Sequence, residues 1–487
     1  MLPPLLLMVL LTMMSSLLLA PQAQAAAPTL EARECENPPI AFAARLSCKL
    51  LVVPLDRSRA DSTAAHIPVA VLAPETPSDE PPILYLQGGK GAGYGLPFRR
   101  PALAAELARS RAVIFFDHRG AGRSTPKLRC AGIASLDMDI RIVDRALAAR
   151  AELRQALAEC VEQLHREGVD PHLFGLDDNA RDLEDLRQLL AIKQWDIYAI
   201  SYGTMQADFL LDIGRQHIRR VVMDGAVDRH FDVDAPNVQF NSLLRIFDEC
   251  AAEPACDAAY PELERKYVEI IRRLGDARSG STASARDFHR LLRLTSFSAA
   301  SRGAVPAMVE LAYRGQMAAA RARFIEQPAN AGPDDSLIDF VQACRFALYR
   351  PEGPMVPSPA LRDIPADVNR LVASGIRAGM IPNCEAMGLQ PATAQTMAPR
   401  AALDVPTLFL DGEVDGVTPP DFAVNIAKGY VQASNLLFPL TPHWVLAAHP
   451  QCAGGITRRF LDVGSIEGAT ACISSLPRTR WDLITGN

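Results

Sequence analysis

The chain has 487 residues, 49% hydrophobic and 22% charged, with a formal net charge of −6 and ten cysteines. The apolar fraction supports a sizeable core and argues against disorder, and at about 150 residues per domain the length allows about three domains. With 50 basic against 56 acidic residues there is no excess positive charge to neutralise phosphates, so nucleic-acid binding has no electrostatic support.

No charged side chain precedes Glu31. A Leu/Met-rich run from Leu5 to Ala20 is broken by Thr12, Ser15 and Ser16, is short for a membrane span, and leads to Pro21 and Ala23-Gln24-Ala25. This order reads as a secretory signal peptide over residues 1–25, so that no membrane span persists after its removal. It lacks a Lys or Arg before the apolar run. All the cysteines (Cys35, Cys48, Cys130, Cys160, Cys250, Cys256, Cys344, Cys384, Cys452, Cys472) lie beyond it. Their even number fits an oxidising compartment, periplasmic or extracellular, and taken in order they make five short-range pairs, although spacing leaves the connectivity open. No Cys-x-x-Cys or zinc-type His spacing occurs, so no metal is expected.

Next in chain order, Lys49–Pro54 and His66–Ala73 read as an antiparallel hairpin. Ile83–Gln87, Ala112–Phe116, Asp196–Ile200, Arg219–Met223, Thr407–Leu410 and Leu436–Leu440 are short apolar runs between turn residues. Several have the continuous apolarity of parallel strands buried on both faces. Helical patterns at Asn179–Leu190 and Met205–Leu211 alternate with them, which predicts an α/β sheet covered on both sides. The alternation stops over 226–405, where the patterns are helical (Asn241–Cys250, Tyr260–Leu274, Ala307–Arg323, Asp339–Leu348). The expected organisation is a core in two parts, 26–225 and 406–487, interrupted by a helical cap at 226–405.

Ala199-Ile200-Ser201-Tyr202-Gly203 joins a buried strand to a helix. A nucleophile on such a turn needs a strained backbone and small residues two positions before and after it. The helix that follows directs its amide-rich end at the same point. Serine needs a base, and the base an orienting carboxylate. Beyond Thr407–Leu410, the loop offers Asp411, Glu413 and Asp415; Asp415 lies furthest into the loop and is the expected acid. Past Leu436–Leu440 come His443 and His449; His443 is the expected base. The chain order Ser201, Asp415, His443 is the order of the nucleophile-elbow hydrolases. An oxyanion needs backbone donors, expected from Tyr202 and the loop Gln87–Gly93. That loop lacks a Gly-Lys-Ser/Thr helix start, so it is not a phosphate loop, and no cofactor is expected.

Together, LQGGKGAG (Leu86–Gly93), FFDHRGAGRST (Phe115–Thr125), NARDLEDLRQLL (Asn179–Leu190), AISYGT (Ala199–Thr204), VVMDGAV (Val221–Val227), FDECAAEPACDAAYPEL (Phe247–Leu263) and PTLFLDGEVDGVTPP (Pro406–Pro420) resemble the secreted α/β-hydrolase peptidases of the prolyl and tripeptidyl aminopeptidase type. The resemblance runs from about Cys35 to Cys472. It implies an α/β-hydrolase fold with a helical cap inserted between late strands, and release of short units from the amino end of peptides. It implies Ser201, Asp415 and His443 as the triad, Gly89 and Tyr202 as oxyanion donors, and pairing of neighbouring cysteines, with Cys344–Cys384 inside the cap. It also implies that Asp117 and Arg119 pair and brace the floor of the site. The sequence departs from the family at Lys90, where proline is usual, at Ala199, where glycine is usual, and at Pro442 and Trp444, which flank His443 in place of glycines.

An aminopeptidase must also bind the substrate's ammonium, for which the cap offers Asp248, Glu249 and Glu253 among others. A carboxylesterase acting on small acyl esters would use the same triad without that clamp. A catalytically silent binding protein of the same fold is a third possibility.

Overall fold

The computed structural model describes residues 25–89, 91–129, 151–227, 236–275, 284–297, 300–324, 361–372, 376–389 and 402–484, together with 337, 338, 340–342 and 344. Residues 1–24, Lys90 and Cys130 lie outside this set, and with them most of the expected signal peptide and most of Asp339–Leu348.

A nine-stranded sheet organises the described residues, in the order β1-β2-β3-β5-β4-β6-β7-β8-β9. The hairpin read from the sequence is β2 (Leu46–Pro54) against β3 (Ala64–Leu72), antiparallel in register from Leu46↔Leu72 to Pro54↔Ala64. β1 (Thr29–Arg33) adds an outer antiparallel strand that the sequence did not announce, because its mostly exposed side chains form no apolar run. β3 also pairs antiparallel with β5 (Val113–Phe116). From there the sheet is parallel, through β4 (Ile83–Leu86), β6 (Trp195–Ile200), β7 (Ile218–Asp224), β8 (Thr407–Gly412) and β9 (Ala433–Phe438).

Strands β4, β5, β6 and β8 are buried at every position, the condition under which a strand reads as an unbroken apolar run. β9 differs from expectation. It starts at Ala433 and ends at Phe438, alternates exposed and half-buried residues, and lies at the sheet edge. Pro439 has no amide to continue the ladder, and Leu440 turns into the left-handed region with φ 53°.

Two apolar clusters fill the two faces of the sheet. One joins Leu153, Leu157 and Leu164 of the helix Ala151–Arg166 to Leu183 and Leu186 of Leu176–Leu189 and to Met205 and Leu210 of Tyr202–Gly214. The other packs Ile456, Phe460 and Leu461 of Pro450–Val463 against Tyr85, Phe115 and Tyr198.

Between β7 and β8 the helices Pro236–Ala252, Leu263–Leu274, Ala285–Thr295 and Val305–Tyr313 build a separate core around Phe240, Leu244, Tyr267, Ile270, Phe288 and Met308. The helix expected over Ala307–Arg323 is two helices, Val305–Tyr313 and Met317–Arg321. Gly315, at φ 80°, breaks it.

Four disulfides join Cys35–Cys48, Cys250–Cys256, Cys344–Cys384 and Cys452–Cys472. Cys160 is also disulfide-bonded. Cys344–Cys384 was expected inside the cap. Both cysteines instead pack in the cluster of the main sheet, with Leu337, Ile338, Phe340, Met387 and Leu389. The late part of the insertion thus folds back onto the helical layer over the sheet, where these apolar side chains are buried.

The carboxyl-terminal segment, expected with the sheet, lies against the cap. Trp481 and Ile484 pack on the cap core, the Tyr260 hydroxyl donates to the Asp482 carbonyl at 2.5 Å and accepts from the Ile484 amide at 2.7 Å, and Arg323 pairs with Asp482. A Cβ on Gly303 would sit 2.0 Å from the Arg480 carbonyl oxygen, so only glycine admits the strap there.

Candidate active site

Strand β6 ends in Ser201, whose φ of 53° and ψ of −126° lie outside the regions open to most L-residues. The strain is held by partners on both sides. The Ser201 amide donates to the Asp224 carbonyl at the end of β7, at 3.0 Å, and the Ser201 carbonyl accepts from the Thr204 amide and hydroxyl at 2.8 and 2.7 Å. The need for small neighbours is visible atom by atom. A Cβ on Gly203 would lie 2.2 Å from the Leu86 carbonyl oxygen, whereas Ala199 is fully buried in β6 and fits. Gly203→Ala is therefore expected to destabilise the fold by about 1–3 kcal/mol, the range for forced overpacking, and to slow Ser201 labelling by a fluorophosphonate. Wild-type melting and labelling in that variant would contradict the tightness of the turn.

The loop after β4 lies over this turn. A Cβ on Gly88 would meet the Ser201 Cβ at 2.8 Å, and Gly89 has φ 59° with open space where its side chain would be. Tyr202 opens the helix Tyr202–Gly214, so its amide sits at the positive end of that helix.

The three carboxylates of the loop after β8 sort by environment. Asp415 is fully buried. Its Oδ1 accepts from the Val417 and Thr418 amides at 2.8 and 2.9 Å, and its Oδ2 from the Thr418 hydroxyl at 2.7 Å. That same Oδ2 meets His443 Nδ1 at 2.7 Å. Glu413 accepts from the Leu440 amide at 3.0 Å and so serves the turn into the histidine loop. Asp411 is buried, and burial, followed by the charges of Asp224 and Asp415, pushes its pKa well above the ordinary carboxylate range.

Burial lowers the pKa of His443, but the charge and hydrogen bond of Asp415, helped by Asp224, outweigh it and leave the imidazole above its ordinary value. Phe297 of the cap lies against the ring at a centroid distance of 5.1 Å. His449, the other histidine considered, hydrogen-bonds the Thr441 hydroxyl at 2.9 Å, stacks on Phe438, and precedes the helix Pro450–Val463.

Asp224 is a member of the site that the sequence reading left without a role. Its carboxylate accepts from the Val445 and Leu446 amides at 2.8 and 2.9 Å and from the Tyr198 hydroxyl. Burial raises its pKa to about 6 despite these donors. It thus ties the end of β7 to the turn just after His443, while its own carbonyl holds Ser201. A Cβ on the next residue, Gly225, would lie 3.3 Å from the His443 ring. The available signal was a carboxylate closing an apolar strand in VVMDGAV.

Asp117 and Arg119 do not pair with each other. Asp117 accepts from the Tyr94 and Arg123 amides at 2.9 and 2.7 Å, and burial raises it to about 6. Arg119 donates to both oxygens of Asp182, at 2.5 and 2.8 Å, and to the carbonyls of Pro54, Leu55 and Leu173. The two side chains of this turn leave in different directions because each finds a better-matched partner. Asp117 finds one amide in its own loop and one in the loop after β4, and the planar guanidinium finds a bidentate carboxylate on the neighbouring helix.

Among the described residues, no group of His, Cys, Asp or Glu could hold a metal ion, and no helix is long and apolar enough to cross a membrane.

A largely parallel sheet, a serine on a left-handed strand-to-helix turn and a buried Asp–His pair beyond later strands define an α/β hydrolase. Residues 81–450 match the model of the alpha/beta hydrolase fold family, and the chain belongs to it. It is 29% identical over 223 residues to carboxylesterase B of Mycobacterium tuberculosis, covering 43% of this chain and 42% of that protein. It is 26% identical over 255 residues to the serine protease Hip1 of the same organism, covering 49% and 48%. A putative hydrolase of Escherichia coli, YuaR, is 29% identical over 211 residues, covering 41% and 39%. The chain thus matches less than half the length of each of these relatives. A solved serine hydrolase from Cycloclasticus zankles aligns over 85% of this chain and 98% of its own, at 13% identity and a TM-score of 0.39.

Proposed function

We propose that the protein is an exported serine hydrolase that acylates Ser201, with His443 as general base and then general acid and Asp415 holding the imidazole tautomer. The observation that carries this reading is the buried Asp415–His443 hydrogen bond of 2.7 Å, beside Asp224, whose carbonyl holds the strained Ser201 and whose carboxylate holds the amides just after His443. Tyr202 and Gly89 are the proposed backbone donors to the oxyanion. Water completes the turnover by hydrolysing the acyl-enzyme. In this proposal the insertion that carries the helical cap spans 226–405, its late part packed on the helical layer of the sheet, over a core formed by 26–225 and 406–487. Export to the periplasm or the outside is supported by the disulfides and by the charge-free opening of the sequence.

The sequence resemblance points to peptides as substrates, with cleavage near a free amino end. Carboxylester hydrolysis is the second reading, and a specific observation favours it. Asp248 pairs with Arg362 at 2.9 Å, and Glu253 caps the helix Pro254–Ala259. Glu249 is raised by burial beside Thr479 and Arg302. Asp248 and Glu253 are thus committed elsewhere, and of the three only Glu249, whose Oε2 is buried without a partner among the described residues, is left as a candidate ammonium clamp. Hydrolysis of an aminoacyl anilide, its N-blocked form and a short-chain ester separates the readings. Turnover confined to the free-amine anilide supports the aminopeptidase, and turnover of the ester and the blocked anilide alone excludes it.

Because His443 must be neutral to accept a proton, kcat/KM should rise with pH. The midpoint is expected above the ~6.5 of an unperturbed histidine, since Asp415 raises His443. Asp415→Asn removes that charge while burial remains, so the midpoint should move down as the rate falls. A pH–rate profile of both forms tests this, and an unmoved midpoint in the variant contradicts the assignment.

A further inference from the structure

The cap face that covers the Asp415–His443 pair is built from hydrogen-bond donors. Gly416, the residue after Asp415, is enclosed by three cap side chains. A Cβ there would lie 3.0 Å from the Ser242 hydroxyl, 3.0 Å from the Ser296 hydroxyl and 3.3 Å from Arg293 Cγ. Ser296 spends its hydroxyl on the Arg293 carbonyl at 2.7 Å. Among the described residues, the Ser242 hydroxyl is fully buried and has no hydrogen-bond partner, and one turn further along the same helix Arg245 Nη1 is also buried without one. Arg293 lies four residues before Phe297, whose ring is tilted against that of His443.

The charge balance of this face is one-sided. Many arginines of the described chain have a carboxylate, as Arg362 has Asp248 and Glu264, and Arg119 has Asp182. Arg293 and Arg245 have none among the described residues. Burial, and then the neighbouring Arg290, lower the pKa of Arg293 to about 10, the mark of a guanidinium removed from water without a counter-charge. It stays protonated at neutral pH all the same. A half-buried cation without an anion is costly, and a ligand carboxylate would relieve that cost. Guanidinium favours carboxylates in particular because its planar donors match their two oxygens.

We infer that the cap face against the Asp415–His443 pair receives a carboxylate carried by the substrate, with Arg293 as its main partner and Arg245 and the Ser242 hydroxyl as further donors. This deepens the serine-hydrolase reading and rests on it. The substrate class is an acyl ester or amide bearing a free carboxylate on one side of the scissile bond. Phe297 supplies an apolar wall between that carboxylate and the reacting centre.

Matched ester pairs test the inference on the whole protein. One pair places the charge on the acyl side, the para-nitrophenyl monoester of adipate against para-nitrophenyl hexanoate. The other places it on the leaving group, the acetyl ester of para-hydroxybenzoate against that of its methyl ester. In one of the two pairs the anionic member should have the higher kcat/KM, by about tenfold, the scale of one charge-assisted contact. That ratio should shrink with added salt. Arg293→Met should bring it toward one and Arg293→Lys should retain part of it. A ratio within a single protein is insensitive to how much of a variant folds. Wild-type ratios at or below one in both pairs, or an undiminished ratio in Arg293→Met, overturn the inference. If the neutral esters are turned over and Ser201→Ala stops them, such a result removes only the carboxylate site. If no ester is hydrolysed and Ser201 takes no fluorophosphonate, the hydrolase reading falls and this inference with it.

Discussion

Ser201→Ala is expected to lower kcat on any cleaved substrate by roughly 10⁶-fold and to abolish fluorophosphonate labelling, the scale seen when a triad nucleophile is removed. The size follows from how the parts act together. Without the hydroxyl there is no acyl-enzyme, and His443 has no proton to accept. His443→Ala should cost about as much, and the double variant little more than either. Asp415→Ala should cost less, roughly 10⁴-fold, since His443 would keep its place but lose the partner that fixes its tautomer. Thr418 softens that last loss, because its hydroxyl also lies 3.1 Å from His443 Nδ1. Steady-state rates of the four variants, with active-site titration of the wild type, measure the series. Substantial turnover in Ser201→Ala, or independent and additive losses, would remove the proposed triad.

The second large effect concerns stability. Arg119 is buried to 1% exposure, and it holds Asp182, also at 1%, and three backbone carbonyls from two separate segments, the end of β2 and the turn at Leu173. Burial works against its charge, but Asp182 and Asp178 more than compensate, so its pKa is raised. Arg119→Ala would leave Asp182 with Arg57 alone, which is partly exposed and reaches it at 2.5 Å, and would orphan the carbonyls of Pro54, Leu55 and Leu173. Breaking one side of a buried pair costs about 3–5 kcal/mol. Arg119→Lys should recover little of it, because an ammonium cannot span the bidentate carboxylate and the carbonyls together. Urea unfolding midpoints of the two variants test this. A loss below about 1 kcal/mol in Arg119→Ala would show that the buried network contributes far less than a paired charge of this kind should.

The two effects differ in where they could be seen beforehand. The turn around Ser201 is a local matter. A buried strand, a small residue, the serine and Gly203 stand within five positions, and steric needs at that scale leave a mark in the chain itself. The same holds for the buried strands, whose continuous apolarity reports burial on both faces, and for Asp415 and His443, each just past a strand. The cysteine pairs at Cys250–Cys256 and Cys35–Cys48 are close in sequence and belong to this group as well.

What the linear pattern could not decide involves partners far apart in the chain. Arg119 was expected to pair with Asp117, its near neighbour, yet its carboxylate comes from Asp182 on a helix that the chain reaches much later. Asp224 looked like the last residue of a strand, and only the placement of β7 beside the histidine loop turns it into the tie between Ser201 and the segment after His443. The carboxyl-terminal residues looked like the end of the sheet domain, and only the glycine at 303 and the hydroxyl of Tyr260 draw them onto the cap. Arg293 reads as one more charge on an amphipathic helix until the cap is folded down on Gly416.

From its sequence alone, the protein is therefore legible as a strand-and-helix hydrolase with a serine on a strand-to-helix turn, candidate partners Asp415 and His443 in order behind it, and an even number of cysteines. These are properties of short segments, and backbone sterics and hydrophobic burial write them locally. The tertiary structure decided which charges neutralise one another and that Arg293 of the cap has no carboxylate partner among the described residues. Electrostatic partnership depends on distance in space and on exclusion of water, and neither has a period or a spacing that a chain can display.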